Sequence, residues 1–115
     1  MFTEKYPFPY YFYITTNKNK TVLYCGVTND LVARLKEHEG AEGNRKSFTG
    51  RYNCHYLVYY EGFDLVRDAI AREKGVKKRS RIKKERLIDF LNPEWRFLND
   101  DAAFHHKGGK KDNDS

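Results

Sequence analysis

Apolar positions in this chain first recur every second residue and then every third or fourth, and the change of period falls within residues 23–39, LYCGVTNDLVARLKEHE. The β-branched and aromatic run ahead of Thr28 predicts a strand, in which Gly26 lets the backbone pass close to a neighbour. Thr28, Asn29 and Asp30 offer an N-cap for a helix that begins at Leu31. At about 100° per residue, Leu31, Val32 and Leu35 form the buried arc of that helix, with Arg34 and His38 together on its flank. A solvated Arg with a capping His, or a pair of site residues, would both read this way, and spacing alone leaves the two open.

The flanking segments follow the same logic. Residues 8–16, FPYYFYITT, alternate, with Tyr11, Tyr13 and Thr15 on one face and Phe12, Ile14 and Thr16 on the other. Asn17-Lys18-Asn19-Lys20 is a turn by composition, so residues 8–16 and 21–27 predict a hairpin. With Phe12, Ile14, Leu23, Cys25 and Val27 as its core side, Tyr13 and Tyr24 emerge side by side on the opposite face. A Gly-rich mobile loop is expected around Gly40, Gly43 and Gly50, where Arg45, Lys46 and Arg51 could approach phosphates. Residues 54–61, CHYLVYYE, predict a third strand, with Leu57 and Tyr59 on one face and Tyr56, Val58 and Tyr60 on the other. Being apolar on both sides, it is expected to be the central or most covered strand.

Asp64 is the predicted cap of a second helix, DLVRDAIAREKGV. Leu65, Val66, Ala69, Ile70 and Val76 fill an arc of about 140°, and Glu73 falls near its middle. A carboxylate there is costly unless it is paired or holds a metal; a bridge to a Lys or Arg at the domain edge would also satisfy it. Gly75 suggests a break in the helix. Ile82, Leu87, Phe90 and Leu91 predict a last helix stopped by Asn92-Pro93, and Trp95, Phe97 and Leu98 a closing segment on the core. Residues 1–98 are thus read as one domain, and residues 99–115 as a flexible polar tail.

Composition narrows the class. A chain of 115 residues suits one domain with one core, and nine Tyr, eight Phe and one Trp make that core one of large rings. The expected location is cytoplasmic and off the membrane. There is no apolar run of the roughly 18 residues a span requires, no secretory-type N-terminus, and only two cysteines, Cys25 and Cys54. The net charge is +6, and the segment after Leu98 carries three Lys against four Asp, so the surplus belongs to the folded part. Seven of the ten residues in KKRSRIKKER, 77–86, are basic. Such a surplus favours a polyanion, and Lys77, Lys78, Arg79, Arg81, Lys83 and Lys84 are candidates, with Arg45, Lys46 and Arg51, for contacts along a nucleic-acid backbone.

Closed zinc spacings, phosphate loops and recognisable nucleophile contexts are absent. What remains is Tyr13, Tyr24, Arg34, His38 and Glu73. In that order and spacing, with the segments FYIT, LYCGVTNDLVARLKEH, FTGRYNCHYLVYYE, AIAREK and LIDFLNPEW, the chain resembles the GIY-YIG nuclease family, in particular its small single-domain bacterial branch, over about residues 9–98. Tyr11, Phe12 and Cys25 depart from the family triplets, while both tyrosines and the closing glycine are kept.

The resemblance implies an α+β fold, a three-stranded antiparallel sheet flanked by helices. It also implies a metal-dependent endonuclease that hydrolyses phosphodiester bonds in DNA, branched or structured forms included. In that reading Tyr24 is the general base, Tyr13 holds the water, Arg34 contacts the phosphate and His38 supports them. Glu73 is the single carboxylate for Mg²⁺ or Mn²⁺, and Asn92 a supporting residue. A nucleic-acid-binding module or partner subunit that keeps the fold without the catalysis is the alternative, and a partner protein is one source of specificity.

Overall fold

Residues 8–108 are described by the structure, a computed structural model of the chain. Strands β1 (Tyr10–Thr16), β2 (Leu23–Thr28) and β3 (Tyr56–Phe63) form an antiparallel sheet in the order β2-β1-β3. The helices are α1 (Leu31–Gly40), α2 (Phe48–Tyr52), α3 (Val66–Lys77), α4 (Arg81–Leu91) and α5 (Asn99–Gly108). The α+β architecture is therefore the expected one. No described helix is long and apolar enough to cross a membrane.

The turn predicted at residues 17–20 is present and makes β1 and β2 a hairpin. The Asn17 Oδ1 accepts from the backbone N–H of Thr21 at 2.8 Å, and Lys20 takes a left-handed φ of 60°. The centre of the sheet corrects the expectation for residues 54–61: β1, not β3, lies between the other two, with Tyr13 opposite Gly26 on one side and Tyr60 on the other. Leu57, Val58 and Tyr59 are buried as their apolar pattern requires. Their cover, however, comes from helices on both faces of an edge strand. The outer edge of β3 is itself blunted, because Leu98 N–H donates to the Leu57 carbonyl at 2.7 Å and Leu57 N–H donates to Asn99 Oδ1 at 2.9 Å.

A register shift between Ile14 and Thr15 leaves Val58 without an opposite residue. This bulge places Val58 and Tyr59 in the same cluster, with Phe12, Ile14, Cys25, Val76 and Ile88, so strict alternation of Leu57 with Tyr59 fails there. On the other face Tyr11, Tyr13 and Leu57 pack against Leu31 and Leu35 of α1 and against Leu98 and Ala102. The sheet thus has a core on each side.

Several helix boundaries also differ from expectation. The loop after α1 contains α2, capped by the Ser47 hydroxyl, which accepts from Gly50 N–H at 3.0 Å. Leu65, not Asp64, is the N-cap of α3, with no side-chain capping bond, and the helix runs through Gly75 to Lys77. Only Ala69 and Val76 of its apolar set are buried, whereas Leu65, Val66 and Ile70 are exposed, so the inner face is narrower than the sequence arc. Ser80 caps α4, whose buried residue is Ile88 rather than Ile82, Phe90 or Leu91, all exposed. The segment expected as a flexible tail begins as helix α5 and buries Ala102; its last residues, 109–115, lie outside those described.

Asn92 ends α4 and fastens it. Its Nδ2 donates to the carbonyls of Val58 (3.1 Å) and Arg96 (2.9 Å), and its Oδ1 accepts from Arg96 N–H at 3.0 Å. Substitution Asn92→Ala strands these buried backbone groups, and we expect a loss of about 2–3 kcal/mol in urea denaturation; a variant as stable as the parent would show that the clamp contributes nothing.

Candidate active site

The site is assembled around a tyrosine with no exposed surface. Tyr13 points from the central strand β1 towards α1, and its hydroxyl lies 3.0 Å from His38 Nε2. Its ring crosses the strand partner Gly26 so closely that a Cβ there would stand 2.5 Å from the Tyr13 hydroxyl oxygen. Glycine at position 26 is therefore required by the ring, not by the backbone torsion.

His38 reaches Tyr13 because α1 is well set. Asp30 caps the helix, its Oδ1 accepting from Ala33 N–H at 3.0 Å, and Leu31, Leu35 and His38 form one buried stripe. His38 is thus part of the inner face, deeper than the flank position its spacing suggested. Tyr24 on β2 completes the group, with ring centroids 6.3 Å from Tyr13 and 5.7 Å from His38. Arg34 lies on the same side of α1 and pairs with Glu37 at 3.2 Å.

Burial sets the protonation of the deep members. Desolvation pushes the Tyr13 phenol far above its ordinary range; Tyr24 adds to this, and the neighbouring Arg34 offsets part of it. Tyr13 therefore keeps its proton. Burial likewise lowers the His38 pKa, with Arg34 and His55 adding to the effect and Glu37 opposing it. A protonated phenol and a neutral imidazole are satisfied when the hydroxyl donates to Nε2. Tyr13 is consequently not an available base.

Tyr24, Arg34, Glu37 and His38 line a cleft of about 320 Å³ together with Ala41, Ser47, Phe48 and Thr49. Sequence reasoning missed Phe48. Its ring lies 5.6 Å from Tyr24 and 4.8 Å from Tyr52, both centroid to centroid, and Arg51 lies over the Tyr52 ring at 5.8 Å. The Ser47 cap followed by aromatics four residues apart was the signal for a short helix with an aromatic edge.

Glu73 approaches from α3, which packs on β1 and β2. It acts electrostatically on Tyr13 and on Cys25, the residue after Tyr24. Its side chain is 21% exposed and paired with Lys77, Nζ to Oε2 3.0 Å, so the carboxylate that the sequence placed on an apolar stripe is a half-buried, bridged one. Among the described residues no group of three His, Cys, Asp or Glu converges to hold a metal. Asn92 stands apart: its side-chain bonds go to β3 and Arg96, across the sheet from β2.

The basic residues divide. Arg45, Lys46 and Arg51 are exposed near the α2 side of the cleft, and Lys78, Arg79 and Lys83 are exposed around the α3–α4 junction. Lys77 and Lys84 both act on Cys25 of β2. Arg81 is engaged structurally, donating to the carbonyls of Thr21 (2.9 Å) and Lys20 (3.1 Å) and pairing with Glu85 at 2.7 Å.

The sequence model described as the GIY-YIG catalytic domain matches residues 9–86. The chain belongs to the GIY-YIG family. That is a nuclease-type family, which makes nucleic acid the class of substrate. Similar curated proteins include a UPF0213 protein of Natronomonas pharaonis, 39% identical over 69% of this chain and 89% of its own length. A UPF0213 protein of Bacillus velezensis is 38% identical over 62% of this chain and 70% of its own. Neither name states an activity, and no solved structure gives a significant match.

The depressed His38 pKa has a consequence for stability. The unfolded imidazole takes up its proton near pH 6.5, the folded one only at lower pH, so between these limits the unfolded state binds more protons. Stability should be undiminished above about pH 6.5 and fall on acidification towards the folded pKa. Thermal unfolding at pH 7.5 and 5.5 should show a larger loss for the parent than for His38→Gln; equal losses would remove His38 as the cause.

Proposed function

We propose that this protein is a metal-dependent endonuclease that hydrolyses phosphodiester bonds in DNA. What carries the reading is the convergence of Tyr24, Arg34 and His38 on one cleft, backed by Tyr13 and approached by Glu73, within the segment matched to a nuclease-type family.

Hydrolysis needs a water stripped of a proton, relief of negative charge growing on the phosphoryl oxygens, and help for the departing 3′-oxygen. Tyr24 is the half-exposed tyrosine of the site; after releasing its own proton to bulk water it takes, as the phenolate, the proton of the attacking water. Arg34 binds the scissile phosphate, exchanging the exposed Glu37 carboxylate for it. Such a surface pair is worth only about 0.2–1 kcal/mol, so a phosphate that accepts two guanidinium hydrogen bonds displaces it readily. Tyr13 fixes His38, and the two hold the Tyr24 ring in place from behind.

A divalent cation fits the donor set in a limited way. Mg²⁺ and Mn²⁺ suit oxygen ligands, and Mg²⁺ is commonly held by one or two carboxylates with waters and substrate phosphates. Glu73, partly exposed and without a cage of further His, Cys, Asp or Glu ligands among the described residues, would be that single carboxylate. When bound, the ion would supply positive charge to the phosphate and the leaving oxygen. Exposed Arg45, Lys46, Arg51, Lys78, Arg79 and Lys83 supply contacts to the nucleic-acid backbone, and Phe48 and Tyr52 supply ring surface beside the cleft.

The test is cleavage of plasmid, flapped and branched DNA with Mg²⁺ or Mn²⁺ and with chelator. The parent should cut, chelator should abolish cutting, and Tyr24→Phe, Arg34→Ala and Glu73→Ala should each lower the rate by about 10²-fold or more. Salt-dependent binding with no cutting by the parent would instead favour a nucleic-acid-binding module that has kept the fold.

A further inference from the structure

Glu73 already has a cation. Lys77 stands one turn further along α3, at its last residue, and places Nζ 3.0 Å from Glu73 Oε2. The order matters: a carboxylate four residues before an ammonium is the favourable arrangement on a helix. The ammonium also faces β2. Its proton is held more firmly than usual, chiefly through the hydrogen bond it donates to Glu73, with Tyr24 and Cys25 contributing. Lys84 is the other cation acting on Cys25. One monovalent cation therefore sits against the carboxylate proposed as the metal ligand, on the side that looks towards the proposed base.

We propose that Lys77 is the resident counter-cation of Glu73, displaced when a divalent cation binds, and that the released ammonium then contacts a phosphate of the nucleic acid. The inference rests on the assignment of Glu73 under the proposed function. Its physical basis is competition. A divalent ion and an ammonium repel one another at a shared carboxylate, and the carboxylate oxygen that Lys77 occupies cannot serve both equally. The lysine side chain is half exposed on a flexible four-carbon stem, so Nζ can leave without unwinding the helix. Once released it is an uncompensated positive charge beside a site that binds a polyanion. Metal and nucleic acid each favour the same lysine position, so each should bind better in the presence of the other.

Two plainer roles make different predictions. If Lys77 were only an exposed helix pair, its loss would leave metal binding unchanged. If it were only a phosphate contact, its loss would weaken nucleic-acid binding to the same degree with and without metal.

The experiment titrates Mn²⁺ into the full chain, following free Mn²⁺ by electron paramagnetic resonance, for the parent, Lys77→Met, Lys77→Arg and Glu73→Gln. Lys77→Met should bind about three- to tenfold more tightly than the parent, Lys77→Arg no more tightly, and Glu73→Gln should lose the site. A second arm measures binding of a fluorescent oligonucleotide in a Tyr24→Phe background, in which cutting is slow. There Lys77→Met should lose affinity with Mn²⁺ present and little or none in chelator. Unchanged or weaker Mn²⁺ binding by Lys77→Met, no binding by either protein, Glu73→Gln binding like the parent, or equal losses in the two oligonucleotide conditions would each overturn the inference. Parent protein that cuts DNA while Lys77→Met shows none of these changes defeats this inference alone. Mn²⁺ binding that behaves as expected in a protein that cuts nothing defeats the nuclease reading and leaves Lys77 in its role.

Discussion

The hydrogen bond between the Tyr13 hydroxyl and His38 Nε2, 3.0 Å long and buried at both ends, ties the core to the cleft. Three requirements meet in that one side chain. Gly26 must lack a Cβ, because the ring occupies its place. The rotation of α1 must bring His38 inward together with Leu31 and Leu35, and β2 must then set Tyr24 beside the pair. A buried tyrosine adds a large apolar surface, and its hydroxyl is costly only when left without a partner. Here the partner is a neutral imidazole from a different element, so satisfying the polar atom also fixes the distance between sheet and helix. The cleft inherits its geometry from rigid elements rather than from its loops.

Charge is distributed in the opposite way. The deep groups are neutral: a phenol driven to keep its proton and an imidazole driven to lose one. Formal charges stand at the rim, each with a replaceable partner, Arg34 with Glu37 and Glu73 with Lys77. Burying the guanidinium and carboxylate outright would require strong fixed partners, and removing those partners later would be expensive. Half-exposed pairs avoid both costs. They hold both side chains in place, and the phosphate and divalent ion proposed above would displace them at little cost.

Local patterning carried most of the fold. The Asn17–Lys20 turn, the Asp30 cap and the alternation of β1 could be read directly, because each depends on neighbours within a few residues. Tyr13, Tyr24, Arg34 and His38 could be singled out by order and spacing, and the structure brings them together. The errors share a cause. The central position of β1, the Val58 bulge and the exposure of Leu65, Val66 and Ile70 are all decided by what packs against a segment, which no window along the chain contains. Ile88, overlooked in favour of Phe90 and Leu91, fills the space under β3 only because Ser80 sets the start of α4 and hence its rotation. Asn92 shows the same limit, since its clamp reaches Val58 of β3, a partner far along the chain.

The basic run at residues 77–86 is the clearest case of composition meaning less than placement. It straddles the end of α3 and the start of α4, so the Ser80 cap resets which way each side chain faces. Lys77 turns to Glu73, Arg81 bridges back to the β1–β2 turn, and Lys84 leans on β2. The charges left outward are Lys78, Arg79 and Lys83 at the α3–α4 junction and Arg45, Lys46 and Arg51 around α2. A count of basic residues weighs all of these alike, whereas only the outward ones keep their full charge available for long-range attraction of a polyanion.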